Sequence, residues 1–175
     1  MSADSHGFGE IRLLLFDVDG VLTDGTILIH PDGSESKSFN IRDGAGIVWA
    51  QRAGLSIGLL SARTANATAV RAAQLGVKIV SQGGADKLAE YERILADAGL
   101  SDNQVGYMGD DLQDLPVLRR AGFSAAPADA APEVRAAVEW VSQSGGGRGA
   151  ARECIEHVLR ARGQWQAAVA GFLDF

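Results

Sequence analysis

Ile11-Arg-Leu-Leu-Leu-Phe-Asp-Val-Asp-Gly-Val-Leu-Thr-Asp24 is the stretch that decides the fold. Leu13 to Phe16 is an unbroken apolar run, too short for a helix that would bury itself, and reads as a central strand covered on both faces. The run stops abruptly at Asp17-Val18-Asp19-Gly20. Side chains alternate along a strand, so Asp17 and Asp19 can point the same way. Two carboxylates held together at a strand's carboxyl end repel each other, and a cation relieves that repulsion. Stability alone gives little reason to place them there.

Working outward, Thr26 to His30, the turn Pro31-Asp32-Gly33 and Glu35 to Phe39 read as a β-hairpin inserted over residues 25–40. Asp43 is predicted to cap a helix running to about Arg52. Leu55 to Leu60 reads as a second buried strand that closes in Ser61-Ala62-Arg63-Thr64, and an alanine-rich helix follows to Leu75. Val77 to Val80 is the predicted third strand, with a helix from about Asp86 to Ala98 ended by Gly99. Val105 to Met108 is the fourth, running into Gly109-Asp110-Asp111 and a helix over 112–121. A short strand at Phe123 to Ala125, a short helix at Pro132 to Ala137 and an edge strand at Trp140-Val141 come next. Gly145-Gly-Gly-Arg-Gly149 reads as a flexible loop before a last helix, Ala150 to Ala161; the segment after Arg162 receives no assignment.

Alternating strands and helices of these lengths imply an α/β fold with a doubly wound parallel sheet and right-handed crossovers. The chain, 175 residues long, is expected to form a single domain with residues 1–10 flexible. Ligands bind such sheets outside the strand carboxyl ends. The polar clusters at 17–19, 61–64 and 109–114 all fall there.

Composition narrows the chemistry. Net charge is −6, with no basic block or basic–aromatic stripe, which argues against nucleic-acid binding. No apolar run is long enough to span a bilayer, and the lone Cys154 suits a reducing cytoplasm. His6, His30 and His157 are scattered, so a metal site would rest on oxygen ligands and select a hard cation such as Mg²⁺.

Taken as one site, the clusters have a chemical logic. Asp17 is a carboxylate that can attack phosphorus and form an acyl phosphate. Asp19 can protonate the leaving oxygen and then deprotonate the hydrolytic water. Mg²⁺ fits among Asp17, the main-chain carbonyl of Asp19 and Asp110, where it offsets the crowded negative charge. Ser61 and Lys87 can hold the phosphoryl oxygens. Asp111 and Asp114 share a helix face and can orient metal-bound water or Lys87. Singly, each has a plainer reading: Asp-x-Asp-Gly a turn, Ser61 a cap, Lys87 a solvated lysine, Asp110 and Asp111 helix-terminal charges. A calcium loop fails because Leu28 stands where a bidentate Glu is needed.

In this order, Asp17-Val18-Asp19-Gly20-Val21, Ser61, Lys87 and Gly109-Asp110-Asp111 with Asp114 resemble the four motifs of the haloacid dehalogenase superfamily of phosphatases. Phe39-Asn40-Ile41-Arg42-Asp43-Gly44, the segment Gly109 to Pro116 and Gly145 to Glu153 are similar to its capless 3-deoxy-D-manno-octulosonate 8-phosphate phosphatase family. That resemblance implies Asp17 as nucleophile, Asp19 as general acid/base, and Asp17, Asp19 and Asp110 around Mg²⁺. It implies a substrate site lined by Arg42, Asp43, Gly44, Ser61, Ala62, Arg63, Lys87 and Arg148. Ala62 departs from the glycine that relatives commonly carry. The implied substrate is the 8-phosphate of an eight-carbon sugar acid used for lipopolysaccharide, in the cytoplasm. Only a hairpin stands where other members carry a lid, so the resemblance implies a homotetramer whose neighbouring subunits cover each site. Hairpin edges carrying Ile27, Ile29 and Phe39 are consistent with burial between chains, the alternative being that these side chains pack on their own domain. Arg148, on its glycine loop, is expected to fold over the mouth.

Rival readings are a nine-carbon sugar acid 9-phosphatase, a non-catalytic assembly module and a phospho-receiver domain. The second should lack an aspartate or Lys87. The third needs an acceptor Asp after the third strand, where this chain has Ser81-Gln82-Gly83.

Overall fold

A computed structural model of the chain describes residues 7–173. Its strands are β1 (Leu13–Phe16), β2 (Leu28–Ile29), β3 (Glu35–Ser36), β4 (Ser56–Ser61), β5 (Ile79–Gln82), β6 (Val105–Met108), β7 (Phe123–Ala126) and β8 (Trp140–Val141). Its helices are α1 (Ile41–Arg52), α2 (Asn66–Gln74), α3 (Lys87–Ala98), α4 (Leu115–Leu118), α5 (Pro132–Ala137), α6 (Ala150–Ala161) and α7 (Trp165–Leu173). Six strands form one sheet in the order β5-β4-β1-β6-β7-β8, and every pairing in it is parallel. Chain order reverses at β1, whose carboxyl end is therefore the crevice where a doubly wound sheet binds its ligand.

The apolar run of β1 is central because both of its faces are covered. Leu14 and Phe16 pack with Ile47 and Ala50 of α1 and Cys154, Ile155, Val158 and Leu159 of α6. Leu13 and Leu15, pointing the other way, meet Tyr91, Ile94 and Leu95 of α3 and Val117 and Leu118 of α4. Each of these β1 side chains is essentially fully buried, which stabilises the fold by roughly 1.5–3 kcal/mol per side chain. Among the described residues no helix is long and apolar enough to cross a membrane.

The predicted α/β sheet is the observed one; several boundaries shift for local reasons. Helix α1 is capped by Asn40, whose side chain accepts the Arg42 N–H at 2.8 Å, and not by Asp43, which lies inside the first turn. The third strand begins at Ile79 because Val77 is still tied to Ala72 by a 2.9 Å backbone bond. The helix expected over 112–121 is a 3₁₀ turn, Leu112–Asp114, followed by the four-residue α4. There Asp114 turns back onto the backbone N–H groups of Asp110 and Asp111, at 3.0 and 3.1 Å. The inserted hairpin is present but brief, pairing only Leu28 with Ser36 and Ile29 with Glu35.

Within the segment expected to be flexible, Phe8–Glu10 forms a 3₁₀ turn and the Phe8 ring lies 5.0 Å from that of Phe123; residues 1–6 lie outside the described residues. Helix α7 fills the segment after Arg162 that receives no assignment from the sequence. Its Trp165 ring sits 6.1 Å from Trp49, with the Arg152 guanidinium 4.0 Å from the Trp49 ring.

Candidate active site

The carboxyl ends of β1, β4 and β6 and the first turn of α3 deliver the charged groups to one place. Asp17 follows β1 directly and is buried; its Oδ1 accepts the Val18 N–H at 2.6 Å. Lys87, at the start of α3, reaches in with its side chain 2% exposed and donates to Asp17 Oδ2 at 2.7 Å and Asp114 Oδ1 at 2.6 Å. Burial alone would weaken the Lys87 ammonium, but the charges of Asp17 and Asp114 outweigh it and raise the pKa. The Tyr107 hydroxyl from β6 also donates to Asp114. With two backbone N–H groups as well, Asp114 is fully occupied as an acceptor and serves to anchor Lys87 and the 110–111 loop.

Carboxylate oxygens of Asp17, Asp110 and Asp114 lie within 4.8 Å of one another. Burial, then the neighbouring acids, push Asp17 up to about 6 and Asp110 up to about 8. Asp110 Oδ1 is buried with no hydrogen-bond partner among the described residues. A crowd of carboxyls with an orphaned oxygen fits a hard divalent cation. Since Asp114 is committed, Asp17 and Asp110 are the carboxylates left to hold it. The Asp19 carboxylate is not among them: its Oδ1 is paired with Lys37 Nζ at 2.5 Å and its Oδ2 lies 3.9 Å from Arg63 Nε. Asp19 can therefore serve a cation only through its main-chain carbonyl. Asp110 closes on the loop only because residue 20 is glycine, at φ +86°; a Cβ there would overlap the Asp110 carboxylate.

Ser61 ends β4, is buried, and its Oγ accepts the Arg63 N–H at 3.3 Å; Ala62 is half-buried beside it. Arg63 is half-exposed and donates to Glu35 Oε2 at 2.8 Å, joining β4 to the hairpin. Asp111 is exposed and caps the 3₁₀ turn. Arg42 is exposed at the start of α1 and makes no side-chain ion pair among the described residues.

Two expected substrate contacts have other employment. Asp43 is buried and its Oδ1 accepts the Arg152 N–H at 2.8 Å, tying α1 to the start of α6; burial raises its pKa. Gly44 lies beneath Arg71, where a Cβ would overlap the guanidinium.

The glycine loop also differs from expectation. It is packed down: Gly147 N–H donates to the Val21 carbonyl at 2.9 Å, and the Gly147 carbonyl accepts from Asn40 Nδ2 at 3.2 Å. A Cβ on Gly146 would overlap the Gly20 carbonyl oxygen. The loop is thus a buttress for the Asp19–Gly20 turn, and Arg148 projects from it, largely exposed, 4.0 Å from Asp24. Gly146→Ala should displace that turn and lower kcat by about tenfold or more, as small displacements of a catalytic group do. Steady-state kinetics at saturating Mg²⁺ checks this; unchanged kcat would show that the loop does not support the turn.

Sequence reasoning overlooked Lys37 and Tyr107. Lys37 sits in a polar hairpin where a lysine ordinarily faces water, yet its side chain is fully buried. Tyr107 looked like an ordinary apolar strand residue; its hydroxyl end is what matters.

Comparison with known proteins agrees with this geometry. A family profile described as haloacid dehalogenase-like hydrolase matches residues 55–153. The 3-deoxy-D-manno-octulosonate 8-phosphate phosphatase KdsC of Escherichia coli K12 is 40% identical over 169 residues, covering 96% of this chain and 90% of the relative. A crystal structure of the phosphatase of the same name from Yersinia pestis matches with a TM-score of 0.90 at 39% identity, covering 94% of this chain and 90% of that one. The Moraxella catarrhalis phosphatase of that name, solved with magnesium, phosphate and the KDO molecule, has a TM-score of 0.92 at 32% identity, with 96% and 97% covered. Identity of this extent along nearly the whole length, with a profile match over more than half of it, settles the relationship: the chain belongs to the haloacid dehalogenase-like hydrolases.

Proposed function

We propose that this protein hydrolyses 3-deoxy-D-manno-octulosonate 8-phosphate to the free sugar acid and phosphate, with Mg²⁺, through an aspartyl phosphate on Asp17. The observation that carries the reading is the buried Asp17 carboxylate, gripped by Lys87 beside the orphaned oxygen of Asp110, at the reversal point of the sheet. The relatives named above, and the KDO-bound one in particular, favour the eight-carbon acid over a nine-carbon homologue.

Asp17 attacks phosphorus; the phosphorus–oxygen bond to the sugar breaks as Asp19 gives its proton to the departing oxygen. Water then attacks the acyl phosphate, Asp19 takes its proton, and the Asp17 carboxylate is regenerated. Mg²⁺, held by Asp17, Asp110 and the Asp19 carbonyl, supplies positive charge that lets an anionic nucleophile meet an anionic ester. Lys87 and Ser61 take the phosphoryl oxygens. Asp111 and Asp114 support the loop, and Arg42, Arg63 and Arg148 are the cations offered to the sugar carboxylate.

A homotetramer, formed through the hairpin, would cover the open mouth. Leu28, Ile29 and Ile41 are 61, 72 and 83% exposed, which favours burial against another subunit. The single described thiol, Cys154, is buried and unpaired, compatible with work in the cytoplasm.

The test is phosphate release across a panel of sugar acid phosphates with Mg²⁺. The 8-phosphate of the eight-carbon acid should have the highest kcat/KM, and preference for a different sugar phosphate would overturn the assignment.

Metal binding should also leave a mark on stability. Asp17 and Asp110 hold their protons more tightly folded, at about 6 and about 8, than at the ordinary 3.8. Folding therefore takes up protons between about pH 4 and pH 8, and the metal-free protein loses this contribution as pH rises through that window. Mg²⁺ favours the ionised carboxylates, so its stabilisation grows over the same window. Burial lowers the His157 pKa and acts in the opposite sense, but equally with and without metal, so it cancels in the difference. Melting curves in Mg²⁺ and in chelator should diverge from pH 5 to pH 8; a constant gap would contradict this.

A further inference from the structure

The hairpin does more at this site than stand in for a lid. Lys37, one residue past β3, buries its whole side chain and places its ammonium 2.5 Å from Asp19 Oδ1 and 3.7 Å from Glu35 Oε1. Arg63, at the end of β4, bridges the other side, 2.8 Å from Glu35 Oε2 and 3.9 Å from Asp19 Oδ2. Two oxygens in this group are buried without a hydrogen bond among the described residues, Asp19 Oδ2 and Glu35 Oε1.

We propose that Lys37 is the positioning residue for the acid/base Asp19: it occupies Oδ1, leaves Oδ2 as the oxygen that carries the proton, and stabilises the carboxylate formed as that proton departs. This rests on the aspartyl-phosphate reading above. An ammonium has donors only, so a protonated Asp19 cannot turn its O–H toward Lys37. The proton must sit on Oδ2, the atom left without a hydrogen bond among the described residues, with Arg63 Nε 3.9 Å away. As the phosphorus–oxygen bond breaks, the proton passes from Oδ2 to the leaving oxygen, giving the alcohol and an Asp19 carboxylate. The negative charge that appears on Asp19 in that step lies against Lys37, a fixed cation in a buried setting where such charge stabilisation is strongest. When water attacks the acyl phosphate, the same Oδ2 receives the proton and the cycle closes.

The role predicts a dependence on the leaving group. An alkyl or sugar alkoxide must be protonated as it leaves, whereas p-nitrophenolate leaves unaided. A general acid contributes about 10²–10⁴-fold, and losing its positioning should forfeit a part of that, about 10- to 100-fold. Lys37→Met should therefore lower kcat/KM, which reports the steps up to leaving-group departure, by that factor on the sugar acid phosphate and on a simple alkyl phosphate, with little change in kcat/KM on p-nitrophenyl phosphate. The kcat, which includes hydrolysis of the shared acyl phosphate, falls on all three. Asp19→Asn should show the same selectivity in kcat/KM more strongly while losing kcat on every substrate, and Lys37→Arg should recover most of the kcat/KM on the alkyl phosphate. The kcat/KM on p-nitrophenyl phosphate, together with a melting curve, reports folding in the same sample. Lys37→Gln replaces the methionine variant should that one melt below the assay temperature. Equal loss of kcat/KM on all substrates in a folded variant, no loss, or a loss of kcat/KM confined to the sugar acid phosphate would overturn the proposal, the last by making Lys37 a substrate anchor. A wild-type protein inactive on every phosphomonoester would instead overturn the functional reading itself.

Discussion

Asp17→Asn is expected to abolish turnover while leaving the protein folded, and without metal slightly more stable than the parent. The activity loss should be on the order of 10⁴-fold or more, the scale found when a covalent nucleophile is removed and only binding and electrostatic stabilisation remain. The amide nitrogen's lone pair is delocalised into the carbonyl and does not attack phosphorus, and the remaining oxygen carries no full negative charge. The stability effect has the opposite sign because Asp17 is strained by its neighbours: burial and Asp114 disfavour its ionised form. Removing that charge relieves the repulsion and leaves Lys87 its second partner, Asp114, at 2.6 Å. A gain in melting temperature with loss of catalysis is the mark of a group kept for function at a cost in stability. Phosphate release and thermal melting in chelator measure both halves. Activity within tenfold of the parent would exclude Asp17 as nucleophile.

Lys87→Met should damage both properties. The ammonium is the only cation within hydrogen-bonding distance of the Asp17 and Asp114 carboxylates among the described residues. Without it two buried acids face each other uncompensated. Breaking a buried ion pair by removing one partner costs roughly 3–5 kcal/mol, or about 10 °C in melting temperature for a domain of this size. Catalysis should fall by about 10²–10³-fold, as when one charge-stabilising donor to the reacting group is lost. The double variant Lys87→Met/Asp114→Asn should recover part of the stability, by removing one stranded charge, and none of the activity. Urea denaturation and steady-state kinetics test the pair. Full stability in the single variant would mean that water already screens this cluster.

Much of this was legible in the chain. Leu13 to Phe16 followed by two aspartates specified a central buried strand with chemistry at its end, because that run has no other way to hide both faces. The order of Asp17, Ser61, Lys87 and Asp110 along alternating strands and helices is enough to place them at one edge of the sheet. Elsewhere local signals competed with tertiary ones. Asp43 has the side chain of a cap, yet Asn40 takes that position and Asp43 is drawn into the start of α6. The run Gly145 to Gly149 has the composition of a flexible loop, but three of its glycines are fixed by close neighbours: Gly145 by the Asp129 carboxylate, Gly146 by the Gly20 carbonyl and Gly147 by the Thr23–Asp24 backbone. Lys37 could not be singled out, since nothing local separates a solvated hairpin lysine from one buried 18 residues away from its partner. Helix α7 lacked a polar cap and an amphipathic pattern to announce it, and it is held by Trp49 and Arg152 from distant parts of the chain.

The covalent step can be seen directly. Mixing the protein with its sugar acid phosphate and Mg²⁺, quenching in acid within the first turnover and reducing with borohydride should convert Asp17 to homoserine, located by peptide mass mapping. An acyl phosphate is reduced in this way and a free carboxylate is not. Homoserine at position 17, dependent on substrate, is the predicted result. Steady phosphate release with no modified residue 17, or with the label on another aspartate, would contradict the account.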